Sequence, residues 1–394
     1  GMDSLECPVQ DIPEMGSAMS RLLAYLEIYQ TAESILSRLM DQGRSELREE
    51  YACLLFEMYI VYHNTDDRSG AVECLDRLSD LLEEMIREKP GDWVLENRLG
   101  VTRMEKAGLI QLESPEEALA LLETIIPVFQ GLQGCPDPVK ILENLSRAYT
   151  VAANATTRKG DKAGALELFN AAEDVVFRKM KITGQTADMD HVLILMNRAG
   201  LDSDRSRRLI QKDYLDVLKI LNRVDPAETS QDHLGFKVVT TIGYAETLID
   251  EGKYKEALAL VEAACRLVED IIQRDGWRDL LEERGGLRVN AAECLIGMGR
   301  LDDADRSVET AIAALETQYF MHDNSRGIHF LGQAYRVKAR ILHRRGRTDD
   351  ALMFLDEAET ILENARTERD QAYLDRHIQM VKNLRSVIRN DSGE

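Results

Sequence analysis

The chain has 394 residues, 44% of them hydrophobic and 30% charged, and 70 acidic against 49 basic residues give it a formal charge of −21. Such a polyanion is repelled by nucleic acid and by anionic membranes, which excludes both as principal partners. The apolar fraction excludes wholesale disorder, and the six cysteines (7, 53, 74, 135, 265 and 294) are too widely spaced for paired zinc or redox motifs.

Residues 1–16 are expected to be a disordered N-terminus with a tag remnant at Gly1, and they lack the basic and apolar stretches of a signal peptide. The most apolar window, Ala52 to Tyr62, is interrupted by Glu57 and falls short of the roughly 20 residues that span a bilayer. A soluble, cytoplasmic protein with reduced thiols is expected. Residues 17–44 read as a capping helix carrying Leu22, Leu26, Tyr29, Ile35, Leu36 and Leu39.

From 45 to 367 the chain repeats. Small anchor residues stand at Ala71, Ala118 and Ala165 (118 − 71 = 47, 165 − 118 = 47) and at Ala257, Ala304 and Ala351 (304 − 257 = 47, 351 − 304 = 47). Apolar residues four and seven beyond each anchor make a helical stripe, as in Ala165, Leu166, Phe169 and Ala172. The 92 residues between Ala165 and Ala257 leave room for a degenerate unit, best fitted by Tyr214, Leu215, Leu218 and Leu221. A period of 47 suits two antiparallel helices of about 20 residues, each roughly 30 Å long. Ser114-Pro115-Glu116-Glu117 reads as a helix start with Ser as N-cap. Pro90, Pro136, Pro138 and Pro226 fall at breaks. Residues 368–394 close the chain with a second capping helix (Tyr373, Leu374, Ile378, Val381, Leu384, Ile388) and a short tail. Each hairpin alone leaves an apolar face uncovered, so about seven of them must stack into an all-α solenoid.

The anchors have companions. Ala153, Ala245, Ala292 and Ala339 stand twelve residues before an anchor, Gly160, Gly252, Gly299 and Gly346 five before, and Leu248, Leu295 and Leu342 nine before. This pattern resembles the tetratricopeptide repeat family, over about residues 45 to 367. The resemblance implies a right-handed α-α superhelix that binds protein or peptide through a concave surface lined by the first helix of each hairpin. The family's usual period is 34 residues, so these helices are lengthened by nearly two turns each.

Motifs of catalysis are missing: no P-loop, HExxH or GxSxG occurs. Gly297-Met298-Gly299 lacks the third glycine of a dinucleotide fingerprint. His322, Asp323 and His329 are better read as a loop and helix start than as metal ligands, and His191, His233 and His377 as half-buried or surface imidazoles. Acidic pairs such as Asp302/Asp303 and Asp349/Asp350 sit where carboxylates favour a helix N-terminus. Met58, Met104, Met196 and Met353 have core spacing. No catalytic residue, metal or cofactor is expected.

One charge feature stands apart. Residues 321–350 carry seven basic residues against three acids, whereas the first hundred residues carry nine basic against 21 acidic. Arg336, Arg340 and Arg344 share one helical face, at offsets that in the resembled family look into the concave surface. Arg147, Asn154 and Arg158 occupy comparable places before Ala165, and Asn154 stands where the family uses an Asn to hold a peptide backbone. Arg205, Arg207, Arg208 and Lys212 form a third basic group, read as a solvated helix start. The expected function is a non-enzymatic scaffold whose basic groove takes an acidic or carboxylate-bearing partner segment. The alternatives are a regulator that changes curvature on binding a signal peptide, an enzyme with an inter-helix site, and head-to-tail self-assembly. The sequence does not specify the oligomeric state.

Overall fold

The computed structural model describes residues 18–201, 207–223, 231–275, 280–321, 327–365 and 371–392, which form helices and turns with no strand among them. The expected tail at 1–16, Arg205, Pro226, His322, Asp323 and Arg326 lie outside these residues. Two compact units divide the chain after Thr183.

The first unit contains α1 (Ala18–Asp41), α2 (Arg48–Asn64), α3 (Arg68–Glu88), α4 (Trp93–Ile110), α5 (Pro115–Gly131), α6 (Pro138–Arg158) and α7 (Lys162–Thr183). The second contains α8 (Met189–Gly200), α9 (Arg207–Leu221), α10 (Gln231–Asp250), α11 (Tyr254–Asp275), α12 (Leu281–Gly297), α13 (Leu301–Glu316), α14 (Ile328–Arg344), α15 (Thr348–Asn364) and α16 (Gln371–Ser392). Within each unit, sequence neighbours pair as hairpins: α2 with α3, α4 with α5 and α6 with α7 in the first, and α8 with α9 through α14 with α15 in the second. In the first unit α1 packs on α2, and in the second α16 packs on α15 and α14.

Turn chemistry sets the hairpins. Gly160, Gly252, Gly299 and Gly346 sit in the left-handed region with φ between 74° and 82°. The residue after each donates its N–H to a carbonyl five positions back, as Lys253 does to Leu248 at 2.9 Å and Arg300 to Leu295 at 2.9 Å. This closes the first helix with a Schellman-type bond, for which glycine has no Cβ penalty. Ahead of Ala71 the same place is taken by Asp66, a non-glycine residue at φ 59°. The next helix then begins on an aspartate cap in several hairpins: Asp67 accepts from the Gly70 N–H at 2.9 Å, Asp137 from Lys140 at 3.1 Å and Asp161 from Gly164 at 2.9 Å. Ser114 stands at the start of α5 as expected, but its side chain makes no capping bond there.

Alanines then allow the helices of a pair to approach. All six anchors, together with Ala153, Ala245, Ala292 and Ala339, have 0% exposure. Leu75, Leu122, Phe169, Val261, Val308 and Leu355, each four beyond an anchor, are also buried. Buried Met58 and Met104 fit the same stripe pattern, whereas Met353 is 52% exposed.

The degenerate hairpin departs from the expected register. Leu215 is 38% exposed, and the buried stripe of α9 is Asp213, Val217, Ile220 and Leu221. The anchor position is thus occupied by Asp213, one residue before Tyr214. Its carboxylate accepts from Arg198 Nε at 3.1 Å and Nη2 at 3.0 Å, and both side chains are under 10% exposed. Period counting with a small apolar anchor passes over this position because a buried carboxylate fills it only with a cation alongside.

Candidate functional site

The expected basic face of α14 is mostly spent inside the second unit. Arg336 is 6% exposed, and its Nη2 lies 2.9 Å from Glu293 Oε1 of α12. Arg340 donates to the other oxygen of Glu293, and Arg344 Nη1 donates to the Ile296 carbonyl at 3.0 Å. The neighbouring cations do likewise: Lys338 reaches Asp305 at 2.6 Å and Glu309 at 2.7 Å, and Arg345 reaches Asp302 at 2.6 Å and Asp305 at 2.5 Å.

Helices α12 and α14 are buried almost all round, including Glu282, Asn290, Glu293, His329 and Gln333. Asn290 Nδ2 donates to the Ile242 carbonyl of α10 at 3.1 Å, and Arg376 of α16 reaches Asp250 of α10 at 2.6 Å. The first-helix face of this unit is therefore filled by the chain's own polar groups. Of the histidines read as half-buried or surface imidazoles, His191 is buried at 9% exposure and His377 at 4%. Burial holds the His377 imidazole well below the ordinary pKa, and the charges of Arg336 and Arg376 act in the same direction.

The first unit differs. Its first helices α2, α4 and α6, with Leu78 of α3, surround a cavity of about 450 Å³. Phe56, Val101 and Leu78 give it an apolar wall, and Arg98, Lys140 and Arg147 bring three cations against Glu57 and Glu105. Arg147 Nη2 donates to Glu105 Oε1 at 2.7 Å, while Tyr59 Oη donates to Glu105 Oε2 at 3.0 Å, so α2 and α6 both hold that carboxylate on α4. Burial raises the Tyr59 phenol pKa, and Glu105 beside it raises it further, so Tyr59 stays a donor. Arg98 Nη1 donates to Glu49 Oε2 at 2.6 Å. Asn144, 1% exposed, donates from Nδ2 to Asn97 Oδ1 at 2.8 Å, which leaves the Asn97 amide N–H₂ uncommitted by that bond.

Of the sequence-predicted residues, the structure brings Arg147 into this cavity. Asn154 and Arg158 follow it on the same face of α6, both half-buried and nearer the C-terminal end of the helix. Asn97, Arg98, Lys140 and Asn144 were not singled out from sequence. The signal that could have found two of them is their spacing, since Asn97 and Asn144 each stand 21 residues before an anchor (118 − 97 and 165 − 144). Among the described residues, no group of three His, Cys, Asp or Glu is placed to hold a metal ion, and no helix is long and apolar enough to cross a membrane.

Comparison with known proteins fits this architecture. The tetratricopeptide repeat family profile matches residues 332–357, a span from α14 through Gly346 and Ala351 into α15. Three solved structures share the fold. The apo form of RapI is 12% identical with a TM-score of 0.54, the match covering 84% of each chain. A Rap protein complexed with Competence and Sporulation Factor is 15% identical at 0.50, over 83% of this chain and 80% of that one. BtubC from P. vanneervenii is 14% identical at 0.51, over 64% and 92%. At these identities the likeness is one of fold. No curated protein matches the chain in sequence. Residues 332–357 thus match a tetratricopeptide repeat, and the stacked hairpins with buried alanine anchors and left-handed glycine turns have a fold similar to these repeat solenoids.

Proposed function

We propose that the chain is a non-enzymatic scaffold that takes a partner protein's segment along the first-helix face of its first unit. The observation that carries this reading is the cavity bounded by Asn97, Arg98, Lys140, Asn144 and Arg147 over Phe56 and Val101. Asn97 offers amide N–H groups suited to a peptide backbone, and the guanidiniums suit a carboxylate. The wall of Phe56 and Val101 suits an apolar side chain between them. Asn154 and Arg158 extend the same face for a longer segment. Arg336, Arg340 and Arg344 have a structural part in this reading, since their guanidiniums are engaged within the second unit.

The test is fluorescence anisotropy with a panel of blocked acidic peptides on the full chain. Arg147→Glu should weaken the best binder about tenfold or more, the worth of one charge-assisted contact. Because Arg147 also holds Glu105, the helicity and melting of the variant are checked first, and Arg147→Gln serves as the milder companion. A best binder indifferent to both Arg147→Glu and Asn97→Ala would end this assignment.

A second reading is supported by one of the similar structures, the Rap protein complexed with Competence and Sporulation Factor. In it, a bound segment would change curvature and so regulate a protein acting in trans. Small-angle scattering with and without the best-binding peptide separates the two. An unchanged radius of gyration favours the scaffold, and a shift favours the regulator.

A further inference from the structure

We infer that the second unit carries a separate site, on its second-helix side, for a single carboxylate borne on an apolar body. A crevice of about 450 Å³ lies between α11 and α13 with α12 beneath it. Its floor is apolar: Leu258 and Cys265 of α11 and Ala291 and Leu295 of α12 are all under 10% exposed. Burial pushes the Cys265 thiol up to about 11, so the floor stays uncharged at neutral pH.

The rim is the reverse. Arg266, Arg288, Arg300 and Arg306 stand around it. Arg300 donates from Nε to Asp303 Oδ2 at 2.7 Å, and Arg306 donates to Oδ1 of the same carboxylate, so one acid holds two guanidiniums. Arg288 is matched by Glu269. Arg266 is exposed and makes no ion pair with a described residue, and Glu262 lies one turn before it on α11. Four cations against Glu262, Glu269 and Asp303 leave a surplus of one positive charge, in a chain whose total is −21.

The donors also point one way. Ser307 Oγ gives its proton to the Arg288 carbonyl at 2.9 Å and Thr310 Oγ1 to the Arg306 carbonyl at 2.8 Å. The N–H groups left over around the crevice therefore belong to arginines, five per guanidinium with at most two used on the paired acids. A guanidinium fork matches a carboxylate bidentately, and one surplus charge balances a carboxylate but not a phosphate dianion. The apolar floor and the volume then call for a hydrophobic body behind that head, within the size range of ligand sites.

Such a head has two sources, a free amphipathic acid or an acidic side chain flanked by apolar ones on a partner. Isothermal titration of the full chain with octanoate and with a blocked Leu-Glu-Leu peptide distinguishes them, since the probe that binds more tightly names the source. Octanol and octyl phosphate serve as controls for the charge. The arginine variant is Arg266→Gln with Arg306→Gln, both on exposed positions, and its helicity and melting are checked first. Binding of either carboxylate probe, reduced at least tenfold in the variant and unaffected by Arg147→Glu, is the expected result. The inference is overturned if neither carboxylate probe binds, if the variant binds equally well, or if octanol or octyl phosphate binds as tightly as the carboxylates.

Discussion

Asp213 occupies a position that the other hairpins give to alanine, and its carboxylate is compensated by Arg198 one helix away. Removing one member of such a pair takes a close, buried charge partner from the other. Asp213→Ala should therefore cost about 1.5–3 kcal/mol of stability, the worth of a hydrogen bond to a charged group. Arg198→Met combined with Asp213→Ala should recover much of it. Urea denaturation of the single and double variants decides this, and equal losses in both would show that the pair does not act as a unit. Asp66 makes the opposite case. It holds a left-handed turn at φ 59° that glycine holds in four later hairpins. Asp66→Gly should raise the melting temperature, with a gain near 1 kcal/mol set by relief of the Cβ clash and offset in part by unfolded-chain entropy. A lower melting temperature would show that the Asp66 side chain contributes contacts outweighing the strain.

At the scale of elements, close approach is set by glycines as well as by alanine anchors. A Cβ on Gly100 of α4 would stand 2.7 Å from the Phe129 ring of α5, which is itself fully buried. Gly100→Ala should thus cost about 1–3 kcal/mol by overpacking, and Phe129→Leu in the same chain should relieve part of that cost. Additive losses in the double variant, measured by denaturant unfolding, would rule out this contact as the cause. Helix α16 carries a pH-dependent element. Its His377 is held neutral by burial, with Arg336 of α14 and Arg376 of its own helix reinforcing the effect. The unfolded chain takes up a proton near pH 6.5 that the native chain refuses. Stability is therefore full above about pH 6.5 and falls below it, by up to about 1.4 kcal/mol per pH unit for one proton. His377→Gln should flatten this slope in unfolding curves taken between about pH 6.5 and 5. A slope unchanged in the variant would mean that another group carries it.

For the whole molecule, charge totals conceal how the charges are spent. The −21 coexists with cations that bridge neighbouring hairpins, such as Lys106 to Asp76 at 2.6 Å, Arg147 to Glu105 at 2.7 Å and Lys338 to Asp305 at 2.6 Å. Among these, Lys338 and Asp305 are at most 15% exposed, whereas the Arg147 pair is more open. Screening weakens open pairs first. Any binding that relies on Arg147 should accordingly fall as sodium chloride is raised, while the folded state of the second unit holds. Anisotropy and circular dichroism recorded over one salt series test this together, and affinity that is indifferent to salt would remove Arg147 from the binding face.

The sequence by itself determined the helical hairpin. Alanine anchors, glycines five residues before them and prolines at the breaks act through local backbone sterics and the 3.6-residue period, which need no knowledge of the neighbours. The place of Arg147 on an open face of α6 was legible too, because a repeat offset marks that face. The rest depended on packing across hairpins. Glu293 lies about one repeat before the arginines of α14 and turns Arg336 from a groove residue into a buried ion-pair partner. Asn144 reaches Asn97, 47 residues away in the chain, and Asp213 can fill an anchor place only because Arg198 faces it. Which face stays open and which is filled is set by where side chains from separate repeats meet, and only the tertiary structure decides that.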